Sequence, residues 1–260
     1  MIRDWDITET NMGRLSEGRL PEVVVLSTGA LEPHNRHLPE GQDYLHTTHV
    51  SRTVVERASA AGAAVLWLPT IAYGVDANLM DFPLAVHVSQ QTLDALLEDI
   101  IRSCAAYGIR KFLIVNGHGG NDFAPLVRRL QTEIEVHLFA CNWWTVGRDQ
   151  YAEIFEEEDD HAGEMETSVA LALYPHLVER QRAGDGVSAP FRFEALNKGW
   201  VSTSRRFIRL NDHCAAGRPH AATAEKGHRY LDLVIDRVAH FVVQLSHATV
   251  DDSFPMQKQN

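Results

Sequence analysis

The chain is 260 residues long, carries a formal net charge of −11, and is 45% hydrophobic and 23% charged. This length suffices to bury a substantial core within one domain. The excess of acidic residues argues against nucleic-acid binding, because phosphate contacts require clustered lysine and arginine side chains. No apolar run approaches the ~20 residues that span a bilayer, and the N-terminus lacks the apolar segment of a signal peptide. We therefore expect a cytoplasmic protein that does not bind membranes.

Predicted strands and helices alternate along the chain. Short apolar and β-branched runs predict buried strands at residues 22–27, 64–68, 111–115 and 135–140. Apolar residues at three- and four-residue spacing predict helices at residues 43–61, 89–107, 121–133, 164–174 and 222–245. This alternation favours an α/β fold with a mostly parallel sheet, and functional sites gather at the carboxyl edge of such sheets. We expect one domain over residues 1–260, with a polar tail from about residue 252.

The first chemically informative segment, residues 29–43, follows the first predicted strand. It contains Glu32 and His34, which point to the same side if the backbone is extended. It ends with Asp43 at the start of a predicted helix. Imidazole and carboxylate groups together suit Zn²⁺, Mn²⁺ or Fe²⁺. A polar surface loop, with Asp43 acting only as a helix N-cap, is the alternative explanation.

The second segment, residues 116–121, follows the third predicted strand. His118 lies between glycines, which allow the backbone to approach a ligand closely. Asn121 is a natural N-cap for the helix that follows. A glycine turn that carries a surface histidine would produce the same pattern, so this segment alone does not establish a site.

The third segment, residues 160–168, opens a later predicted helix and contains two acidic residues in its first turn. Such residues often do no more than interact with the helix dipole, which explains Glu164 well. His161 and Glu166 are better candidates for a functional role, although each taken singly is also compatible with a structural one.

Taken together, the three segments resemble the creatininase (creatinine amidohydrolase) family. The matching blocks are Leu31-Glu32-Pro33-His34 with Asp43 nine residues after the histidine, Asn116-Gly117-His118-Gly119-Gly120-Asn121, and His161-Ala162-Gly163-Glu164-Met165-Glu166-Thr167-Ser168. Two further matches fall in the same order, namely Leu68-Pro69-Thr70 with Tyr73-Gly74, and residues 222–227. The resemblance extends from Glu22 to about Phe241.

The resemblance implies a three-layer α/β/α sandwich that assembles as a homo-hexamer. It also implies two divalent metal ions per subunit, which we expect to be zinc, manganese or iron. By matching position, Glu32 and His118 would hold one ion and His34 the other, while the carboxylate of Asp43 would bridge them.

One ligand position departs from the family pattern. Creatininase has a glutamate two residues after the histidine of the second block, where this chain has Gly120. We expect Glu166, at an acidic position of the third block, to supply the missing ligand. His161 matches the residue credited with proton transfer in creatininase. Asp160 beside it is expected to orient the imidazole.

The expected activity is metal-dependent hydrolysis of a small cyclic or linear amide, in which metal-activated water attacks the carbonyl. Two alternatives stay open. One is hydrolysis of a C–C bond in a cyclic, inositol-derived diketone by the same chemistry, and the other is a metal-binding oligomer without catalysis. Positions that border the pocket in the family differ here at Asn35, Gln42 and residues 82–85, so the small-molecule substrate is left open.

Overall fold

The computed structural model describes residues 2–18 and 20–257. Its strands are β1 (Val23–Thr28), β2 (Val65–Trp67), β3 (Lys111–Asn116), β4 (His137–Asn142), β5 (Asp159–His161) and β6 (Ala216–Gly217). Its helices are α1 (Met12–Glu17), α2 (Gln42–Ala60), α3 (Gln90–Ala105), α4 (Ala124–Glu133), α5 (Tyr151–Ile154), α6 (Glu164–Leu173), α7 (Glu194–Asn197) and α8 (Ala224–His247). Single 3₁₀ turns lie at Trp143–Thr145, Arg148–Gln150, Pro175–Leu177, Arg180–Arg182 and Phe207–Arg209.

Strands β1 to β4 form one sheet in the order β2-β1-β3-β4, and all neighbouring pairs are parallel. The predicted strands and helices are confirmed, with ends shifted by no more than three residues. The small antiparallel pair β5-β6 was not predicted, because each strand is too short to show a pattern. Thr28 lies opposite Asn116, so the loops that follow β1 and β3 leave the sheet at the same edge.

Both faces of the sheet are covered, which confirms the α/β/α layering. Along β1, Val23 and Val25 belong to the core shared with α2 and α8, whereas Val24 and Leu26 belong to the core shared with α3 and α4. Successive side chains of a strand point to opposite faces, so a strand buried on both faces is apolar throughout. Each such side chain contributes about 1.5–3 kcal/mol on burial.

The C-terminal segment contacts the domain as far as it is described. The ring of Phe254 lies 4.7 Å from that of His137 in an edge-on contact, so the predicted polar tail from about residue 252 begins as packed chain. Residues 258–260 of that tail lie outside the described residues. Within the described ranges, no helix is both long and apolar enough to cross a membrane.

The predicted role of Asn121 as a helix N-cap is wrong. Helix α4 begins only at Ala124, and its N-cap position is occupied by Phe123 without a side-chain hydrogen bond. The amide of Asn121 accepts a hydrogen bond from the backbone N–H of Val75 (3.1 Å) and donates one to Asn116 Oδ1 (3.1 Å). A tertiary contact between two loops has therefore replaced the local capping interaction.

Strand β3 ends where helix α2 crosses it at close range, and Gly117 makes that approach possible. A Cβ atom at Gly117 would lie 1.5 Å from Thr47 Oγ1 and 3.2 Å from the backbone oxygen of Asp43. At Gly119, two residues later, a Cβ atom would meet nothing within 4 Å. Packing therefore requires a glycine at position 117, whereas the space at position 119 would admit a methyl group.

We predict that Gly117→Ala lowers the free energy of unfolding by about 1–3 kcal/mol, because Thr47 and α2 must shift to admit the methyl group. Gly119→Ala is the matched control and should stay within about 0.5 kcal/mol of the parent chain. Urea unfolding measures both values. Equal losses in the two variants would contradict this account of the packing.

Candidate metal centre

Three chain segments meet at the carboxyl edge of the sheet: the loop after β1 with the start of α2, the loop after β3, and β5 with the start of α6. They bring together six of the seven predicted site residues, namely Glu32, His34, Asp43, His118, His161 and Glu166. All are buried except Glu166, whose side chain is 15% exposed. The seventh, Asp160, points elsewhere.

A backbone carbonyl group fixes the orientation of His118. Its Nε2–H donates to the oxygen of Val75 at 3.1 Å, and the N–H of Val75 is in turn held by Asn121. A carbonyl oxygen can only accept, so Nε2 carries a proton, and in the neutral ring the lone pair is on Nδ1. That Nδ1 lies 3.0 Å from Asp43 Oδ2 and 3.1 Å from Glu32 Oε1.

His34 is oriented in the same way. Its Nδ1–H donates to the backbone oxygen of Glu32 at 3.0 Å, so in the neutral ring the lone pair is on Nε2. Nε2 lies 3.0 Å from Asp43 Oδ1 and 3.7 Å from Glu166 Oε2, yet it has no hydrogen-bond partner among the described residues. The two oxygens of Asp43 thus face two different imidazoles, which is the arrangement that a bridging carboxylate requires.

His161 is the third imidazole that a carbonyl group orients. Its Nε2–H donates to the oxygen of Pro33 at 2.8 Å, and its Nδ1 lies 3.7 Å from Glu32 Oε1. The ring stacks at a tilt against His34 and meets Phe207 edge-on. Burial, with a smaller contribution from His34, lowers the pKa of His161 to about 4, so this imidazole is neutral near pH 7.

Asp160 does not occupy the place that its predicted role requires. Asp160 and His161 are neighbours in β5, so their side chains point to opposite sides of the strand. The carboxylate of Asp160 is exposed and pairs with Arg205, whose guanidinium lies over the ring of Phe207. The contact that orients His161 comes instead from the carbonyl group of Pro33.

The local packing explains why Gly120 carries no ligand. A Cβ atom there would lie 2.2 Å from the oxygen of Val75 and 2.4 Å from His118 Nε2, so no side chain fits. The carboxylate of Glu166 approaches His34 from α6 instead, and its Oε2 accepts a hydrogen bond from the backbone N–H of Ala162 at 2.6 Å.

Two aspartates near the cluster, one buried and one partly buried, were missed at the sequence level. Asp76 is 0% exposed and lies 3.2 Å from His118 Nε2. The carboxylate of Asp159 accepts hydrogen bonds from the N–H groups of Gly163 and Met165 and so holds the start of α6. Asp159 lies in β5, four residues before the N-cap position at Gly163, so the usual capping pattern does not mark it. Nothing local marks Asp76, because its neighbours come from distant segments.

The cluster concentrates negative charge away from water. Burial raises the pKa of both Glu166 and Asp76 to about 8, with nearby carboxylates adding to the effect. Burial lowers the pKa of His34, because it disfavours the charged ring. The negative charges of Asp43 and Glu166 outweigh this effect, so the pKa of His34 is above its ordinary value. Buried carboxylates of this density require compensating positive charge, which either protons or a metal cation can supply.

The donor set fits divalent metal ions. Three overlapping groups have ligand atoms within 4.8 Å of one another: Glu32, His34 and His161; Glu32, Asp76 and His118; and His34, Asp43 and Glu166. Glu32 Oε2 and His34 Nε2 are buried without hydrogen-bond partners in the described part of the chain, as expected of atoms that face a cation. Mixed imidazole and carboxylate ligands suit zinc, manganese and iron.

Five of the site residues line a cleft with a volume of about 670 Å³, namely Glu32, Asp43, His118, His161 and Glu166. Its walls are partly aromatic and include Trp144, Tyr151 and Phe207, while Arg148 and Arg205 add positive charge. Trp143, by contrast, is 2% exposed and packs in the core. Concave sites of this size and mixed polarity are typical of small-molecule binding.

A buried cluster of imidazoles and carboxylates at the carboxyl edge of a parallel sheet is the architecture of a metal-dependent hydrolase. The family model described as creatininase, creatinine amidohydrolase, matches residues 7–242, and the chain therefore belongs to the creatininase family. Members of this family are metal-dependent amidohydrolases.

The similarity extends to individual relatives and solved structures. The mycofactocin precursor peptide peptidase of Mycobacterium tuberculosis is 30% identical over 90% of this chain and 92% of its own length. A Bacteroides fragilis crystal structure, provisionally named a creatinine amidohydrolase, has a TM-score of 0.88 at 34% identity and covers 97% of this chain and 100% of its own. Manganese creatininase has a TM-score of 0.75 at 25% identity, covering 95% of this chain and 100% of its own.

We predict that Asp43→Ala loses more bound metal than Glu32→Ala. Each oxygen of Asp43 lies 3.0 Å from a different imidazole, so its loss weakens both ion positions. Elemental analysis after dialysis against a metal-free buffer measures the residual content. Asp160→Ala, which removes a carboxylate from the cleft wall without touching the cluster, should retain the full content. Equal residual metal in the Asp43 and Glu32 variants would contradict the bridge.

Proposed function

We propose that the protein hydrolyses a C–N bond in a small cyclic or linear amide, using two divalent metal ions. The observation that carries this proposal is the cluster of imidazole lone pairs, each fixed by a backbone carbonyl group, that face buried carboxylates at the floor of the cleft. The proposed ligands of one ion are Glu32, Asp43 and His118. Those of the other are His34, Asp43 and Glu166.

Divalent ions bound at such sites lower the pKa of water and polarise carbonyl groups. His161 supplies the proton transfer in our proposal. Its Nε2–H is held by Pro33, so Nδ1 is free to take a proton from the attacking water. The same nitrogen then delivers this proton to the leaving nitrogen as the C–N bond breaks. The aromatic walls of the cleft, Trp144 and Phe207, limit access of bulk water.

Two variants separate the proposed ligand from the proposed proton carrier. We expect His161→Ala to keep both ions and to lose turnover by roughly 10²–10⁴-fold, because it removes only general acid–base catalysis. Glu166→Gln should lose one ion together with its activity. His37→Ala is the control, since His37 is also buried but bonds to Thr167 rather than facing the cluster. A metal-free His161 variant, or a Glu166 variant with two ions, would refute these assignments.

A substrate panel tests the reaction class itself. Metal-replete protein should hydrolyse at least one member of a set of lactams, formamides and short peptides, and removal of metal by a chelator should abolish the activity. Turnover confined to a cyclic diketone would favour the C–C hydrolase alternative. A chain that holds two ions and turns over nothing on the panel would favour a metal-binding oligomer without catalysis.

We also propose that the protein acts as a homo-hexamer in the cytoplasm. Several large apolar side chains are exposed on the described surface, including Leu84 (81%), Trp200 (73%) and Phe193 (67%). Contiguous apolar patches mark surfaces that bind another protein chain, and Phe193, Trp200 and the exposed Val201 lie close together along the chain. Light scattering should give the mass of six 29.1-kDa subunits, and a monomer mass at micromolar concentration would contradict the assembly.

A further inference from the structure

Asp76 is a buried acidic residue for which the mechanism above has no use. It lies in the loop after β2, its side chain is 0% exposed, and its backbone N–H donates to His87 Nδ1 at 3.1 Å. Neither carboxylate oxygen accepts a hydrogen bond of normal geometry from the described residues. A buried carboxylate is costly unless it is paired, so the position of this one requires an explanation.

The ring of His118 lies beside Asp76, and the carboxylate of Glu32 is also close to it. Asp76 Oδ1 lies 3.2 Å from Nε2, on the ring edge opposite to the one that faces Glu32 and Asp43. The N–H is better aligned with the carbonyl oxygen of Val75, 3.1 Å away, so two acceptors lie beside one proton. An ion held by Nδ1 would therefore leave Nε2–H directed at Val75 and Asp76.

We infer that Asp76 is a positioning residue for His118 and strengthens the binding of one ion of the pair. In a metal-binding histidine, one ring nitrogen binds the ion and the other can donate its N–H to a carboxylate. That hydrogen bond fixes the orientation of the ring and makes the metal-binding nitrogen a stronger ligand. Val75 alone could set the tautomer, but only Asp76 is able to carry negative charge beside a bound cation. This inference rests on the proposed metal centre and assigns to Asp76 a selective effect on the ion held by Glu32, Asp43 and His118.

The test measures metal affinity rather than turnover. Zn²⁺ affinity is determined by competition with a chromophoric chelator in the Glu166→Gln background, where only the ion at His118 is expected to bind. Adding Asp76→Asn, which keeps the shape and removes the charge, should weaken this affinity about 10–100-fold. Asp6→Asn is the matched control: Asp6 is equally buried but pairs with Arg52, so its loss should leave the affinity unchanged.

An affinity within threefold of the parent value would overturn the inference, as would an equal loss in the Asp6 control. A crystal structure of the zinc-loaded parent chain provides a second measurement that does not depend on the folding of any variant. An Asp76 oxygen at hydrogen-bond distance from Nε2 supports the inference, whereas one at about 2.0–2.2 Å from the ion makes Asp76 a ligand and overturns it. Absence of hydrolytic activity would affect only the proposed function, because neither measurement requires turnover.

Discussion

The whole centre depends on three backbone carbonyl groups that accept hydrogen bonds from imidazole rings. The oxygens of Glu32, Val75 and Pro33 hold His34, His118 and His161, respectively. A carbonyl oxygen cannot donate, so each contact determines which ring nitrogen carries the proton and which presents its lone pair to the carboxylates. These carbonyl groups lie in the loops after β1 and β2, so the fold of the loops sets the directions of the ring nitrogens before any ligand arrives.

The same constraint explains how this chain differs from creatininase in its ligand set. The carbonyl group of Val75 and the ring of His118 fill the space beside Gly120, so a side chain at that position would disrupt the contact that orients the histidine. In our proposal, Glu166 supplies the carboxylate from α6 instead. That helix is itself firmly placed, because a Cβ atom at Gly227 of α8 would lie only 2.1 Å from the backbone oxygen of Ser168. The close packing of α6 against α8 therefore positions Glu166, which lies far along the chain from the other two segments.

The parts of the molecule that could be predicted are those governed by local pattern. Apolar periodicity gave the order of strands and helices, and the placement of polar motifs after β1 and β3 brought Asp43 and His118 together. The rest required contacts between distant segments. Asp160 and His161 diverge because a three-residue strand forms there, and Asn121 bonds to a loop rather than to its own helix. Asp76 lies in no recognisable motif, and only the folded chain places it against His118.

The separation of the donors along the chain has a consequence for how the protein acquires its ions. Asp43 and His118 are 75 residues apart, and the segment that holds His161 lies 128 residues beyond Pro33. During synthesis, the metal-binding side chains are not all in place until α6 has been made and has packed against the rest of the domain. The long chain segments between them must be brought together first. Ions held by this cluster would join three separate segments late in folding and would favour the native state over the unfolded one. The metal-loaded chain would accordingly resist unfolding in proportion to the logarithm of the free ion concentration.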